Sequence, residues 1–205
     1  MFNLITITPS GTQRGDVSGI PEDVLSASAP VIAAAEAGAP AILAGVGAPY
    51  SSELGIKSGQ ETQKIETATM AANKELILSA LKAAGIKSVE VEYEGDGDSG
   101  GVVDTTFYYS PGCEKDPDEF SVYLIRSEYA LWAKEPSVSI YLRRCDLRNA
   151  IQEFAECDVV DYFGHSGYEN NDGGRGTVTF DVEKGSITLE HSDFIMSTED
   201  YDHEF

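Results

Sequence analysis

Apolar positions recur along this chain with two periods. Between Glu61 and Ala84, Ile65, Ala72, Leu76, Ala80 and Ala84 return at helical spacing, with Ile77 and Leu81 widening the stripe. Ser58 and Glu61 have the spacing of a capping box, and Gly85 stands where a helix ends on a left-handed residue, so a helix is predicted over 61–84. Immediately after it, Val89, Val91 and Tyr93 alternate with Glu90, Glu92 and Glu94, which is the period of a half-buried strand. Val103, Thr105, Phe107 and Tyr109 alternate likewise and predict a second strand, antiparallel to the first across a glycine-rich turn.

Further on, Phe120, Val122 and Leu124 suggest a third strand, and Val138, Ile140 and Leu142 a fourth. Glu128–Glu135, which holds the lone Trp132, fits neither period. Asp146 is a natural N-cap for a second helix over 147–163, with Leu147, Ile151 and Phe154 as its apolar stripe. Thr177–Val182 and Ser186–Glu190 read as a hairpin around Lys184-Gly185. Strand runs with two separated helices predict an α+β fold, an antiparallel sheet with two main helices packed on one face.

The first 57 residues read differently. Phe2–Thr8 suggests a short strand with Phe2 and Leu4 on one face, and Glu22–Ala37 has helical composition broken by Pro30. The rest is Ala, Gly, Ser and Pro. The expectation is a weakly structured N-terminal extension over 1–57 and an α+β domain over 58–205. The most apolar run, Val31–Val46, is broken by Glu36 and Pro40, so no membrane span is expected.

Charge changes the picture most. The formal net charge is −21 and the pI about 4.3. Such a surface repels nucleic acid and anionic lipid and attracts basic proteins and cations. The three cysteines, Cys113, Cys145 and Cys157, are odd in number and form no C-x-x-C pair, which suits a reduced, cytoplasmic setting.

Two loops carry the candidate chemistry. One is Asp96-Gly97-Asp98-Ser99-Gly100-Gly101; the other is Gly167–Gly174, containing Glu169, Asn170, Asn171 and Asp172. If they meet, Asp96, Asp98 and Asp172 offer hard oxygen ligands suited to Ca²⁺. The same residues are also ordinary turn formers. Gly97-Asp98-Ser99-Gly100 matches the nucleophile block of trypsin-like proteases, but the histidines, His165, His191 and His203, all follow the serine. His165, just past the second helix, reads as a capping residue, and Asp161 stands four residues before it. Glu90, Glu92 and Glu94, if they face solvent, form a row spaced by about 6.7 Å, twice the strand rise, with Asp96, Asp98, Asp104, Glu114, Asp116, Asp118 and Glu119 nearby.

From about Lys74 onward the chain resembles an uncharacterised bacterial domain family of unknown function, often carried on plasmids and other mobile elements. The resemblance rests on Asn73-Lys74, Ala83-Ala84-Gly85-Ile86, Gly97-Asp98-Ser99-Gly100, Glu169-Asn170-Asn171-Asp172-Gly173, Thr179-Phe180-Asp181-Val182 with Ile187-Thr188-Leu189, and His203-Glu204-Phe205. Where that pattern has Gln and Trp, this chain has Gly101 and Tyr168. The family supplies a setting and no mechanism. Charge and setting together lead to the expectation of an acidic, non-catalytic, cytoplasmic protein. It would bind a basic or nucleic-acid-binding protein by charge mimicry through Glu90, Glu92, Glu94, Asp96, Asp98, Glu169, Asn170, Asn171 and Asp172, and would touch neither nucleic acid nor membrane directly. The rival reading is a Ca²⁺-binding or hydrolytic domain that uses the two loops.

Overall fold

The computed structural model describes residues 1–113, 115–170, 172–195, 197 and 202. In chain order the elements are β1 (Phe2–Thr8), β2 (Gly11–Arg14), α1 (Glu22–Ala44), α2 (Glu53–Ala83), β3 (Ile86–Asp96), β4 (Ser99–Tyr109), a 3₁₀ turn (Pro117–Glu119), β5 (Ser121–Ala130), β6 (Ser137–Asp146), α3 (Leu147–Glu153), a π-helical stretch (Phe154–Val160), β7 (Gly174–Asp181) and β8 (Ser186–Asp193). The class is α+β, with two antiparallel four-stranded sheets in place of the single sheet expected. They belong to two compact units, one built from Met1–Ala84 and Lys115–Ala150, the other from Gly85–Glu114 and Ile151–Phe205.

The first unit orders its sheet β2-β1-β6-β5. One face is aliphatic: Ile5, Ile125, Val138, Ile140 and Leu142 are fully buried on it, and Leu124 is fully buried on the other face of β5. The residues read as a weakly structured extension build much of it. β1 lies between β2 and β6, and α1 is a core helix whose Val24, Ser28, Val31, Ala35, Ala39 and Ile42 form a buried stripe. Its small residues permit close helix contact. A Cβ on Gly38 would stand 3.1 Å from Glu61 Cβ, and one on Gly45 would stand 2.7 Å from Ser58 Cβ, both on α2. At 23 residues, with a mean hydropathy of 1.4 over its most apolar 18-residue window, α1 has the length and composition to cross a membrane. In this unit its apolar stripe is used in packing. β1 buries Ile5 and Ile7 together with Leu4, because a bulge between Asn3 and Ile5 changes the pairing register, and Phe2 is exposed.

Helix α2 begins eight residues before the predicted start, so the boundary expected at residue 57 falls inside it. Ser52 is the cap: its Oγ accepts from the Gly55 N–H at 3.1 Å, while Ser58 and Glu61 lie within the helix. Asn73 faces the core from α2 and is fully buried. Its amide donates to the Ile125 carbonyl at 2.9 Å and accepts from the Ile125 N–H at 2.7 Å. One side chain thereby satisfies both backbone groups of a residue on the sheet-edge strand β5.

In the second unit the sheet order is β4-β3-β7-β8. Gly85, at φ +74°, ends the helical path as expected and turns the chain into β3. β3 and β4 form the predicted hairpin, and β7 and β8 the second, with Val178 opposite Leu189 and Phe180 opposite Ile187. The Asp146 carboxylate caps α3 by accepting from the Asn149 N–H at 2.9 Å. The chain then passes into the π-helical stretch, which sets Phe154 against Phe180 with ring centroids 6.3 Å apart.

Candidate functional site

The two faces of the second unit's sheet are best read row by row, because residues directly opposite share a face. On the inner face Phe107, Val89, Phe180 and Ile187 make one row, and Thr105, Val91, Val178 and Leu189 the next. The character then changes. The third row is Val102, Tyr93, Gly176, His191, and the fourth is Gly100, Gly95, Gly174, Asp193.

These glycines are spaces. A Cβ on Gly176 would stand 2.4 Å from Tyr93 Oη, so only glycine lets the Tyr93 ring cross β7 and reach β8. Tyr93 Oη lies 2.7 Å from His191 Nδ1, and His191 Nε2 lies 3.0 Å from Asp193 Oδ1. The His191 side chain is 4% exposed and that of Asp193 73%, so the line runs from core to solvent. Burial and the Asp193 charge push the Tyr93 phenol up to about 12. His165, held just past the π-helical stretch by a bond from its N–H to the Val160 carbonyl, lays its ring against His191 with centroids 4.0 Å apart. It is therefore part of a side-chain cluster rather than only a helix-end residue. The fourth row clears the way for the other loop: a Cβ on Gly95 or Gly100 would strike Glu169 Cβ at 2.8 or 2.9 Å. Tyr168 packs edge-on against Tyr93 and donates to Glu156 at 3.0 Å. Burial, reinforced by that bond and the Glu156 charge, raises the Tyr168 phenol.

The two Gly/Asp loops do meet. The Asp98 N–H donates to the Glu169 carbonyl at 3.0 Å, and Gly173 packs its backbone on Gly95 and Asp96. Gly97 at φ +53° and Asp98 at φ +72° form the tight turn between β3 and β4, which accounts for the Gly-Asp-Ser-Gly block as hairpin chemistry. Ser99 Oγ donates to the Asp96 carbonyl at 3.5 Å. Asp96, Asp98, Asn170 and Asp172 are exposed, and Glu169 is half-buried. Asn171, Glu114 and His203 lie outside the described residues. Among the described residues one group of three ligand-bearing side chains converges, His165, His191 and Asp193; Asp96, Asp98 and Asp172 do not form another.

The outer face is the acidic one. Its rows are Thr106, Glu90, Thr179, Thr188; then Asp104, Glu92, Thr177, Glu190; then Gly101, Glu94, Arg175, Ser192. Glu92 and Glu94 are exposed and Glu90 is half-buried. Glu92 stands directly opposite Asp104, a like-charge pair across neighbouring strands. The Tyr108 hydroxyl donates to Glu90 at 2.9 Å, and that bond together with the charges of Glu90, Glu92 and Asp104 raises the Tyr108 phenol. Val103, the extra residue of a bulge beside Asp104, is 62% exposed. A depression of about 650 Å³ opens here, bordered by Glu92, Glu94, Glu190 and Arg175. Asp116 and Asp118, counted with this cluster in the sequence, lie in the first unit, where Arg148 Nε meets Asp118 at 2.8 Å.

A family model described as a family of unknown function, DUF6878, matches residues 69–205. The chain belongs to this family. The match includes Asn73, both faces of the β3 sheet and the His191 line. No curated protein and no solved structure matches the chain.

Sequence reasoning missed the Tyr93–His191–Asp193 line and the place of His165 in it. The signal was the Gly174-x-Gly176 alternation opposite His191-x-Asp193, which has meaning only once strand register is known.

Proposed function

We propose that this protein is an acidic, non-catalytic binding module whose outer β3/β4/β7/β8 face recognises a basic protein partner. The observation that carries the reading is the placement of Glu92 opposite Asp104, in a row with Glu190 and flanked by Glu90 and Glu94. In the three rows of that face, Arg175 is the one base. Like charges directly opposite on a sheet destabilise it. A face that keeps them is suited to a partner that supplies the opposite charge.

Row spacing supports a particular class of partner. Carboxylates along β3 recur at about 6.7 Å, and the neighbouring strand brings the next acid within about 5 Å. Basic grooves that accept a phosphate backbone meet a comparable lattice of negative charge. A nucleic-acid-binding protein is therefore the proposed partner. Charge mimicry in a cytoplasmic, mobile-element setting is the biological reading that suits it.

The test is capture of a basic DNA-binding domain, used as a probe, by the parent protein and by the triple variant Glu90→Gln, Glu92→Gln, Glu94→Gln. A charge-matched control carries Glu22→Gln, Asp23→Asn and Glu75→Gln, three exposed positions of the first unit. Salt-sensitive capture by parent and control, lost in the triple variant, supports the reading. Equal capture by all three proteins removes it.

A further inference from the structure

We propose that His165, His191 and Asp193 form a binding site for a divalent transition-metal ion of the Zn²⁺ class. Their ligand atoms all lie within 4.8 Å of one another. His191 Nε2 and Asp193 Oδ1, at 3.0 Å, already stand near the ligand–ligand edge of about 3.3 Å that a tetrahedron with bonds of about 2.0 Å requires. Two imidazoles and a carboxylate suit a borderline ion better than Ca²⁺ or Mg²⁺, which take oxygen sets.

An independent observation is the support behind His191. A metal on Nε2 requires the proton to sit on Nδ1, and an acceptor must hold it there. Tyr93 Oη is at 2.7 Å from that nitrogen, able to accept from the Nδ1 N–H. Tyr93 is itself fully buried and reaches this position only because residue 176 is glycine. A buried phenol carried across one strand to orient an imidazole on the next is the outer support that metal-ligating histidines have. On the other side, a cavity of about 340 Å³ lined by Phe163, His165, Leu189 and His191 borders both imidazoles and leaves space for a water or small ligand. Three protein ligands and one open position distinguish reactive zinc sites from closed structural ones. This site is on the inner face and stands independently of the acidic outer face.

The experiment titrates Co²⁺ into the full chain in excess Mg²⁺, which occupies loose carboxylates, and follows the visible absorption of four- or five-coordinate cobalt. Zn²⁺ displacement then gives the affinity. One ion per chain is expected. His165→Gln and Asp193→Asn should each weaken binding by more than about tenfold, and Tyr93→Phe, which removes the support without removing a ligand, by about tenfold. Far-ultraviolet dichroism establishes that each variant is folded, and Asp193→Asn alters an exposed carboxylate, so at least one variant reads binding without disturbing packing. Three results overturn the proposal: no stoichiometric binding, affinity unchanged in either ligand variant, or a thiolate-to-cobalt band that places the ion on a cysteine.

Discussion

The two four-stranded sheets use their inner faces in opposite ways. In the first unit the inner face is largely aliphatic from Ile5 to Leu142, and the buried polar residues of the helices over it bond to backbone: Ser28 to Val24, Thr69 to Ile65, Asn73 to Ile125. In the second unit the face is mainly apolar for two rows, aromatic at Phe107 and Phe180, and then gives way to Tyr93, His191, Asp193 and four glycines. Polar groups there bond to one another across strands. The difference teaches where to look for function: a core that bonds its polar groups to its own backbone is organised for stability, whereas one that gathers titratable rings around a gap is organised around a site.

The largest effect is expected where the first unit is most exacting. Asn73→Leu would leave the Ile125 N–H and carbonyl buried without partners, at about 1–3 kcal/mol for each group. Chemical denaturation should show a loss of about 2–6 kcal/mol, with amide protection falling first around β5. A loss below 1 kcal/mol would mean that water replaces the Asn73 amide and that this core is less dry than its burial implies. Next comes Gly176→Ala in the second unit. Its Cβ would meet the Tyr93 ring, and overpacking of this kind costs about 1–3 kcal/mol. Tyr93 should also lose His191, visible as a displacement of the His191 ring signals by NMR at fixed pH.

Asp146→Ala removes the α3 cap and should cost about 1 kcal/mol. Hydrogen bonding from the Asn149 backbone, aided by its side chain and Arg148, holds the Asp146 carboxyl below its ordinary value. A depressed folded value stabilises above the unfolded pKa and is lost as pH falls through the folded one. The difference between parent and variant should therefore shrink below about pH 4. The smallest effect has the opposite sign. Glu92→Gln relieves the pair with Asp104 and should raise stability by about 0.2–1 kcal/mol. If it destabilised the fold instead, the acidic face would be a structural requirement, and the proposal that it serves a partner would lose its support.

Much of this was legible in the sequence, and the failures have physical causes. Strand β3, its hairpin with β4, the β7–β8 hairpin, and the helix ends at Gly85 and Asp146 follow from local periodicity and capping. The pattern of Glu90, Glu92 and Glu94 gave their shared face. Helix α1 was underestimated because Ala, Gly and Pro dilute an apolar stripe, yet Gly38 and Gly45 are what permit its close contact with α2. Splitting into two sheets was illegible because β1 pairs with β6 across more than half of the chain. Asp118 was grouped with Glu92 by sequence proximity alone, although the chain crosses between units in the interval. The histidine cluster depends on register, since His165 and His191 come from different elements and Tyr93 from a third.

The most direct test of the binding account is the salt dependence of the association rate with the basic probe, measured for the parent, the Glu90/Glu92/Glu94 triple glutamine variant and the charge-matched control in the first unit. Electrostatic steering by the outer face predicts a steep fall in rate with salt for parent and control, and a slower, nearly salt-independent rate for the triple variant with unchanged melting. Identical salt slopes for all three proteins would show that net charge, and not this face, governs association, and would contradict the account.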